Sequence, residues 1–305
     1  MGTAPEKPYL TAVPPSAAVE WVRGTFEPGS TVTEIRRLTG GVSSAIHAIV
    51  LKDPRGEFHT VVLRRWARPD WQVTDPDFTV AREALALRTV AATSFATPRP
   101  LAADERGRHC DVPALLMSFL PGSAPDPGPA DLGSFLEQLA LAAVETHQLR
   151  VKQELPPYRP YNSLEDPRVP APCRHPDLWL RAFEIVAAGP PPEESCLIHR
   201  DYHFGNTLWT EGRLTGIVDW GYASQGPASI DIAHMRWNLV VGYGKEAADE
   251  FLAAYTKNAP GRFSHHPYWD LRTLVDLTPE PIESSFGATD IARLENYLQA
   301  LLNNF

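Results

Sequence analysis

A histidine, an arginine and an aspartate stand together at His199-Arg200-Asp201, and an asparagine follows at Asn206. A carboxylate beside a substrate hydroxyl can orient it and take its proton. A neutral amide oxygen just downstream can reach a divalent cation of the Mg²⁺ type. A loop of about five residues, folded back on itself, lets both groups surround one phosphate. Beyond a second apolar run, Gly216-Ile217-Val218 delivers Asp219 ahead of Trp220-Gly221. A carboxylate at the end of a strand is another hard oxygen donor for the same ion. The two segments are a hairpin apart, so their order predicts that Asp201, Asn206 and Asp219 converge for phosphoryl transfer.

Such chemistry also needs a cation against the phosphates and an acid that holds the cation. Val61-Val62-Leu63-Arg64 reads as a strand ending in a cation. Glu83 lies on the helix expected over Phe78 to Ala92, with Asp75 or Asp77 near its start. Only five of the 28 basic residues are Lys, and none lies on this strand. Arg64 therefore takes the role, with Arg65 alternating to the other face. Lys52 is the other candidate, at a hairpin turn. The turn Gly40-Gly41-Val42-Ser43-Ser44 can cover a nucleotide through backbone amides at Gly40, Gly41, Ser43 and Ser44, although it is not a full G-x-G-x-x-G.

The elements around these residues fall into two groups. A short helix over Ala17 to Thr25 precedes strand-like runs over Thr31 to Leu38, Ala45 to Leu51 and Phe58 to Trp66. Asp53-Pro54-Arg55-Gly56 marks a hairpin turn, Pro98 and Pro100 break the chain, and Val112 to Leu120 is an apolar strand. The dense Pro/Gly stretch from Pro121 to Pro129 is the linker candidate. Helical patterns follow over Leu132 to Leu149, Leu178 to Ala188, Ile230 to Val241, Glu246 to Lys257 and Asp290 to Asn303. Short strands at Cys196 to Ile198 and Leu214 to Val218 flank the reactive loop. The expected organisation is an α+β fold with a β-rich lobe over residues 1–120, a hinge over 121–130 and a mostly helical lobe over 131–305.

Composition excludes several classes. The chain has 305 residues, and its formal net charge of −9 disfavours nucleic acid as a partner. Residues 125–305 carry 14 basic and 24 acidic groups, whereas residues 1–124 carry 14 and 13, so the acidic part favours a cationic ligand. No apolar run approaches the roughly 18 residues of a membrane span, and no basic-then-apolar leader opens the chain. The expectation is a cytoplasmic protein, monomer or homodimer, that takes a small molecule. Cys110, Cys173 and Cys196 are too few and scattered for a disulfide framework or a Cys-rich zinc site.

These residues together resemble the aminoglycoside phosphotransferase superfamily, which includes choline and homoserine kinase-like enzymes. The resemblance covers roughly residues 30–260. It rests on Gly40-Gly41, Leu63-Arg64, Arg82-Glu83, Leu115-Leu116-Met117 entering Leu120-Pro121-Gly122, and His147 at a helix end. It rests most on His199 to Asn206, Ile217 to Trp220, and Pro227 to Asp231 followed by Ile232-Ala233. It implies a two-lobed protein-kinase-like fold, Mg²⁺, ATP or GTP as donor, and transfer of the γ-phosphoryl group to a small-molecule hydroxyl. It implies Asp201 as catalytic base, Asn206 and Asp219 as metal ligands, and Arg64 with Glu83 at the α/β-phosphates. Arg in place of the usual Lys is the departure. Fewer than a dozen residues separate Asp219 from Gly226-Pro227, which leaves no room for a peptide-docking activation segment and favours a small acceptor such as an aminoglycoside-type compound.

Rival readings use the same residues. His199, Asp201 and His203 alternate, and on one strand face they would form a zinc site of a metallohydrolase. A nucleotide-binding pseudokinase is the other rival, prompted by Arg64 and opposed by the complete Asp201, Asn206 and Asp219 set. His199 reads as a tether for the loop, and Asp231 as a helix cap and brace or a third metal ligand. His203 reads as a solvated loop residue or a substrate contact, and the His265-His266 pair as a surface loop. Glu280, Glu283 and Asp290 read as a solvated face or a pocket lining.

Overall fold

In the computed structural model of the chain, the described residues are 8–38, 44–151, 155–170, 173–261, 263–278 and 286–305. They divide into two compact units. One runs to Ser123 and adds Thr215–Ala223; the other comprises Ala124–Leu214 and Ser224–Phe305.

The first unit begins with α1 (Pro8–Thr11), α2 (Ser16–Phe26), β1 (Thr31–Arg37), β2 (Ala45–Lys52) and β3 (Phe58–Arg65). It continues with α3 (Trp71–Thr74), α4 (Val80–Val90), β4 (Pro100–Asp104) and β5 (Ala114–Ser118). The strands form one antiparallel sheet in the order β1-β2-β3-β5-β4. The β2–β3 turn follows from its residues. Asp53 Oδ1 accepts the amides of Arg55 and Glu57 at 2.9 and 2.8 Å, and Gly56 takes φ +92°. Strand β3 lies at the centre of the sheet, which suits its β-branched run, and its register sets Arg64 between Ile46 and Leu115. A core of Ala18, Val22, Ile49, Leu51, Val61, Leu63, Ala114 and Leu116 packs α2 on one sheet face.

Strand β4 occupies a stretch expected only to break. It sits at the sheet edge with proline as its first residue, where no ladder amide is required. Helix α4 starts later than the expected Phe78, because Thr79 rather than Asp75 or Asp77 caps it. The Thr79 hydroxyl accepts the Arg82 amide at 3.2 Å.

The second unit holds α5 (Leu132–His147), α6 (Pro176–Ala187), β6 (Ser195–Ile198) and β7 (Thr207–Thr210), and the chain leaves it within β8 (Arg213–Ile217). It resumes with β9 (Ser224–Pro227), α7 (Ala228–Tyr243), α8 (Lys245–Asn258), α9 (Pro267–Val275) and α10 (Ala288–Leu302). Strands β6 and β9 pair antiparallel, and α7, α8 and α5 pack against one another. Helix α9 follows directly on His265-His266, which stay outside it as a loop, and His266 is exposed as expected. His266 caps it by accepting the Tyr268 amide at 3.1 Å, with Pro267 in its first turn. His265 is buried and bonds Asp270 at 2.6 Å. Asp290 opens α10 by accepting the Gly287 amide at 2.9 Å, while Glu280 and Glu283 lie outside the described residues. A five-stranded antiparallel sheet with a helical remainder is the mixed α/β architecture read from the sequence.

Candidate active site

Strand β3, helix α4 and the segment after β8 build a charged cluster in the first unit. Arg64 Nη1 donates to Glu83 Oε1 and to Asp219 Oδ1, both at 2.7 Å. Arg64 Nε donates to Ser44 Oγ at 2.8 Å. Arg64 and Glu83 are buried, while the Asp219 side chain keeps 25% of its surface exposed. Burial opposes charge on Arg64, but Asp219 and Glu83 overcome it and hold the guanidinium firmly protonated. Burial pushes the Glu83 carboxyl up, helped by the Asp219 charge and opposed by Arg64. Glu83 Oε2 has no hydrogen-bond partner among the described residues.

Local packing explains how Asp219 reaches this cluster. The Ile217 amide donates to Ala96 O at 3.0 Å, which ties the end of β8 to the first unit. Arg82, next to Glu83 on α4, donates to Ala223 O at 2.9 Å and Tyr222 O at 3.0 Å. Phe78 stacks on Tyr222 with ring centroids 4.6 Å apart. A methyl group at Gly221 would lie 2.5 Å from the Phe78 ring, so this position requires glycine. Asp219 itself takes φ +64°, a left-handed conformation costly for a residue with a side chain.

The second unit holds the reactive loop. Asp231, inside the first turn of α7, accepts the amides of His199 and Arg200 at 2.7 Å each. These bonds hold the loop entry, where Arg200 takes φ +71°. His147 bridges Asp231 at 3.1 Å and the Tyr255 hydroxyl at 2.7 Å. Tyr202 donates to Leu139 O at 2.7 Å, anchoring the loop to α5. Asn206 Nδ2 donates to Asp201 O at 3.0 Å and Asp201 Oδ2 at 3.1 Å. One turn beyond Asp231 on α7, His234 Nε2 lies 3.2 Å from Asp201 Oδ1. Burial works against the Asp201 charge. The His234 hydrogen bond and the nearby His203, His234 and His199 outweigh it and hold the carboxyl far below its usual range. The Asp201 side chain still exposes 28% of its surface.

The structure thus joins Arg64, Glu83, Ser44 and Asp219 in one cluster and Asp201 with Asn206 in another. Gly40, Gly41 and Ser43 lie outside the described residues. Lys52 sits over the Phe58 ring at 5.8 Å, so Arg64 is the residue that pairs with Glu83. Arg65 turns to the other face and bonds Asp111. The zinc rival fails on geometry. His199, Asp201 and His203 do not bring three ligand atoms together; among the described residues only Asp53, Glu57 and His59 do, and Asp53 is spent on the hairpin turn. Asp231 braces the loop but does not cap α7, whose N-cap is Pro227. His203 is used rather than free: its Nδ1 accepts the Gly205 amide at 3.1 Å. Burial pushes the thiols of Cys110 and Cys196 up to about 12, so both stay protonated near neutrality. The residue missed by sequence reasoning is His234; its one available signal is the i,i+3 spacing from Asp231 on a helix face.

Asn206 in the second unit and Asp219 in the first are each of a type that a divalent cation takes. Among the described residues Asn206 Oδ1 and Asp219 Oδ2 make no hydrogen bond, and each is a hard oxygen donor suited to Mg²⁺. No helix is long and apolar enough to cross a membrane among the described residues.

Comparison with known proteins follows the same lines. The sequence model described as the phosphotransferase enzyme family matches residues 34–268. No curated protein matches the chain. Among solved structures, the ternary complex of the aminoglycoside phosphotransferase APH(2")-IIa with streptomycin and ATP is 15% identical. That match covers 82% of this chain and 84% of the other, with a TM-score of 0.56. A thermostable mutant of the aminoglycoside phosphotransferase APH(4)-Ia, in ternary complex with ADP and hygromycin B, is 16% identical over 94% of this chain and 98% of that one, with a TM-score of 0.62. The macrolide 2'-phosphotransferase MphH from Brachybacterium faecium, as apoenzyme, is 18% identical over 90% and 94%, with a TM-score of 0.57. At these identities the likeness is one of fold.

Proposed function

This chain belongs to the phosphotransferase enzyme family, and on that premise we propose that it transfers the γ-phosphoryl group of ATP or GTP to a hydroxyl of a small cationic molecule in the cytoplasm. An aminoglycoside-type compound is the leading acceptor class. The acidic balance of residues 125–305 supports a cationic acceptor, and the solved complexes with streptomycin and hygromycin B support that class.

Asp201 is the catalytic base. The observation that carries this reading is a carboxylate held ionised by two side-chain donors yet still part exposed. Its oxygens orient the acceptor hydroxyl and take its proton as the oxygen attacks. His234 and Asn206 fix the carboxylate plane, so little orientation remains to be found at the moment of reaction. Arg64, held by Glu83, offsets charge on the α/β-phosphates, and backbone amides near Gly40 to Ser44 cover the nucleotide. Asn206 and Asp219 would each supply an oxygen to Mg²⁺, and the ion would offset charge on the phosphates. Most of the rate enhancement is positioning and charge stabilisation.

A screen of MgATP and MgGTP consumption against hydroxylated amines, sugars, aminoglycosides and macrolides tests the proposal. Turnover with a cationic polyol is expected. No turnover with any acceptor, together with no binding of either nucleotide, would refute it.

A further inference from the structure

Ser44 follows Gly40-Gly41-Val42-Ser43 in the sequence, where its expected partner is the nucleotide. Its hydroxyl is committed elsewhere. Ser44 is 2% exposed, and its Oγ accepts the Arg64 Nε–H. Arg64 Nη1 is divided between Glu83 and Asp219. The guanidinium carbon lies 5.2 Å from the ring centroids of both Trp66 and Phe78, and those two rings are 5.5 Å apart. Among the described residues, Nη2 is the one guanidinium nitrogen with no hydrogen-bond partner. A rigid planar fork held at two of its three nitrogens has the direction of the third fixed.

We infer that Ser44 is a positioning residue that acts through Arg64: it anchors Nε so that Nη2 presents its two N–H groups to the nucleotide phosphates. This inference rests on the reading of Arg64 as the phosphate-facing cation. It also explains how arginine serves where kinases use lysine. An ammonium is a single nitrogen that carboxylates alone can place. A guanidinium held only through Nη1 can pivot about that contact, and its free nitrogen then sweeps past the phosphates. The hydroxyl at Ser44 removes that freedom. Glu83 and Asp219 cannot do so, because both bind the same nitrogen.

The test is a double-mutant cycle on MgATP affinity, read by calorimetry with no acceptor present. Ser44→Ala in the wild-type background is expected to weaken MgATP about tenfold, the size of one lost hydrogen bond to a charged group at the low end of its range. In the Arg64→Lys background, which has no Nε to anchor, the same substitution is expected to change affinity less than about twofold, within the limit of additivity. Ser44→Thr, which keeps the hydroxyl, should restore wild-type affinity. An equal loss in both backgrounds means that Ser44 meets the nucleotide directly and overturns the inference while leaving the nucleotide site intact. No loss in either background overturns it as well. A wild-type protein that binds neither MgATP nor MgGTP removes the underlying reading and the inference together. Should Ser44→Ala melt before titration, the Arg64 Nε–H resonance of the wild type decides. Protection from solvent exchange supports the anchor, and exchange at the rate of a free guanidinium overturns it.

Discussion

Around Arg64, two carboxylates share one guanidinium in a largely buried pocket, whereas around Asp201 one carboxylate is shared by an imidazole and an amide and stays part exposed. The contrast separates two ways of keeping a charge inside a protein. Removing water from a charge is costly enough that an opposite charge must meet it, and the resulting network cannot give up a member cheaply. Hydrogen bonds can instead hold a carboxylate ionised while leaving part of it open, and such a group remains available to accept a proton. The first arrangement suits a fixed electrostatic anchor, the second a reacting group.

The contrast breaks first at Asp201. Asp201→Asn is expected to lower turnover roughly 10²–10⁴-fold with MgATP affinity unchanged, compared by steady-state rates and calorimetry on the same preparation; a near-normal rate would mean that the open carboxylate is not the base. Arg64→Ala leaves the buried Glu83 carboxyl and the part-exposed Asp219 carboxylate without their shared cation and is expected to cost about 3–5 kcal/mol in denaturant unfolding and to raise the nucleotide KM. An unchanged KM would shift the phosphate role to Lys52. Asp219→Ala should make nucleotide affinity indifferent to Mg²⁺, and retention of the metal dependence would reassign the ligand. His234→Ala should lower kcat about tenfold, near the value of one hydrogen bond to a charged group, with nucleotide KM unchanged; a change confined to KM would argue against its hold on Asp201.

A pH test sharpens the comparison at a buried group whose charged neighbours carry the same sign. His47 on β2 is 2% exposed, and burial, followed by Arg65 and Arg37, lowers its pKa from 6.5 to about 4. It is therefore neutral when folded and protonated when unfolded between those values. The unfolded chain binds the extra proton, so this contribution is complete above pH 6.5 and is lost as pH falls toward 4, with a slope of about 1.4 kcal/mol per pH unit. His47→Leu should flatten the pH dependence of unfolding free energy in that window. An unaltered slope would locate the acid sensitivity elsewhere.

Much of the site was legible because its chemistry is written in short spacings. Asp201 and Asn206 are five residues apart and bond each other directly. Arg64 and Glu83 could be paired because a strand and the helix after it supply a cation and an acid in fixed order. The unread parts depend on contacts between distant residues. His234 lies one residue beyond the Pro227 to Ala233 motif, and nothing local marks its ring as the partner of Asp201. Ser44 could be assigned to the turn that precedes it, but not to Arg64 across the sheet. Helix α9 was hidden because His266 is an unusual cap, and β4 because proline signals a break more often than an edge.

The passage of Thr215–Ala223 into the first unit has a consequence for anyone dissecting the gene. No single cut point yields two self-sufficient pieces. A fragment ending at Ser123 would strip Arg82 of the Tyr222 and Ala223 carbonyls and Phe78 of its stacked neighbour. A complementary fragment starting at Ala124 would carry that excursion with nothing to receive it. Circular permutation within the 121–130 stretch, which keeps every residue on one chain, is the gentler way to probe the junction.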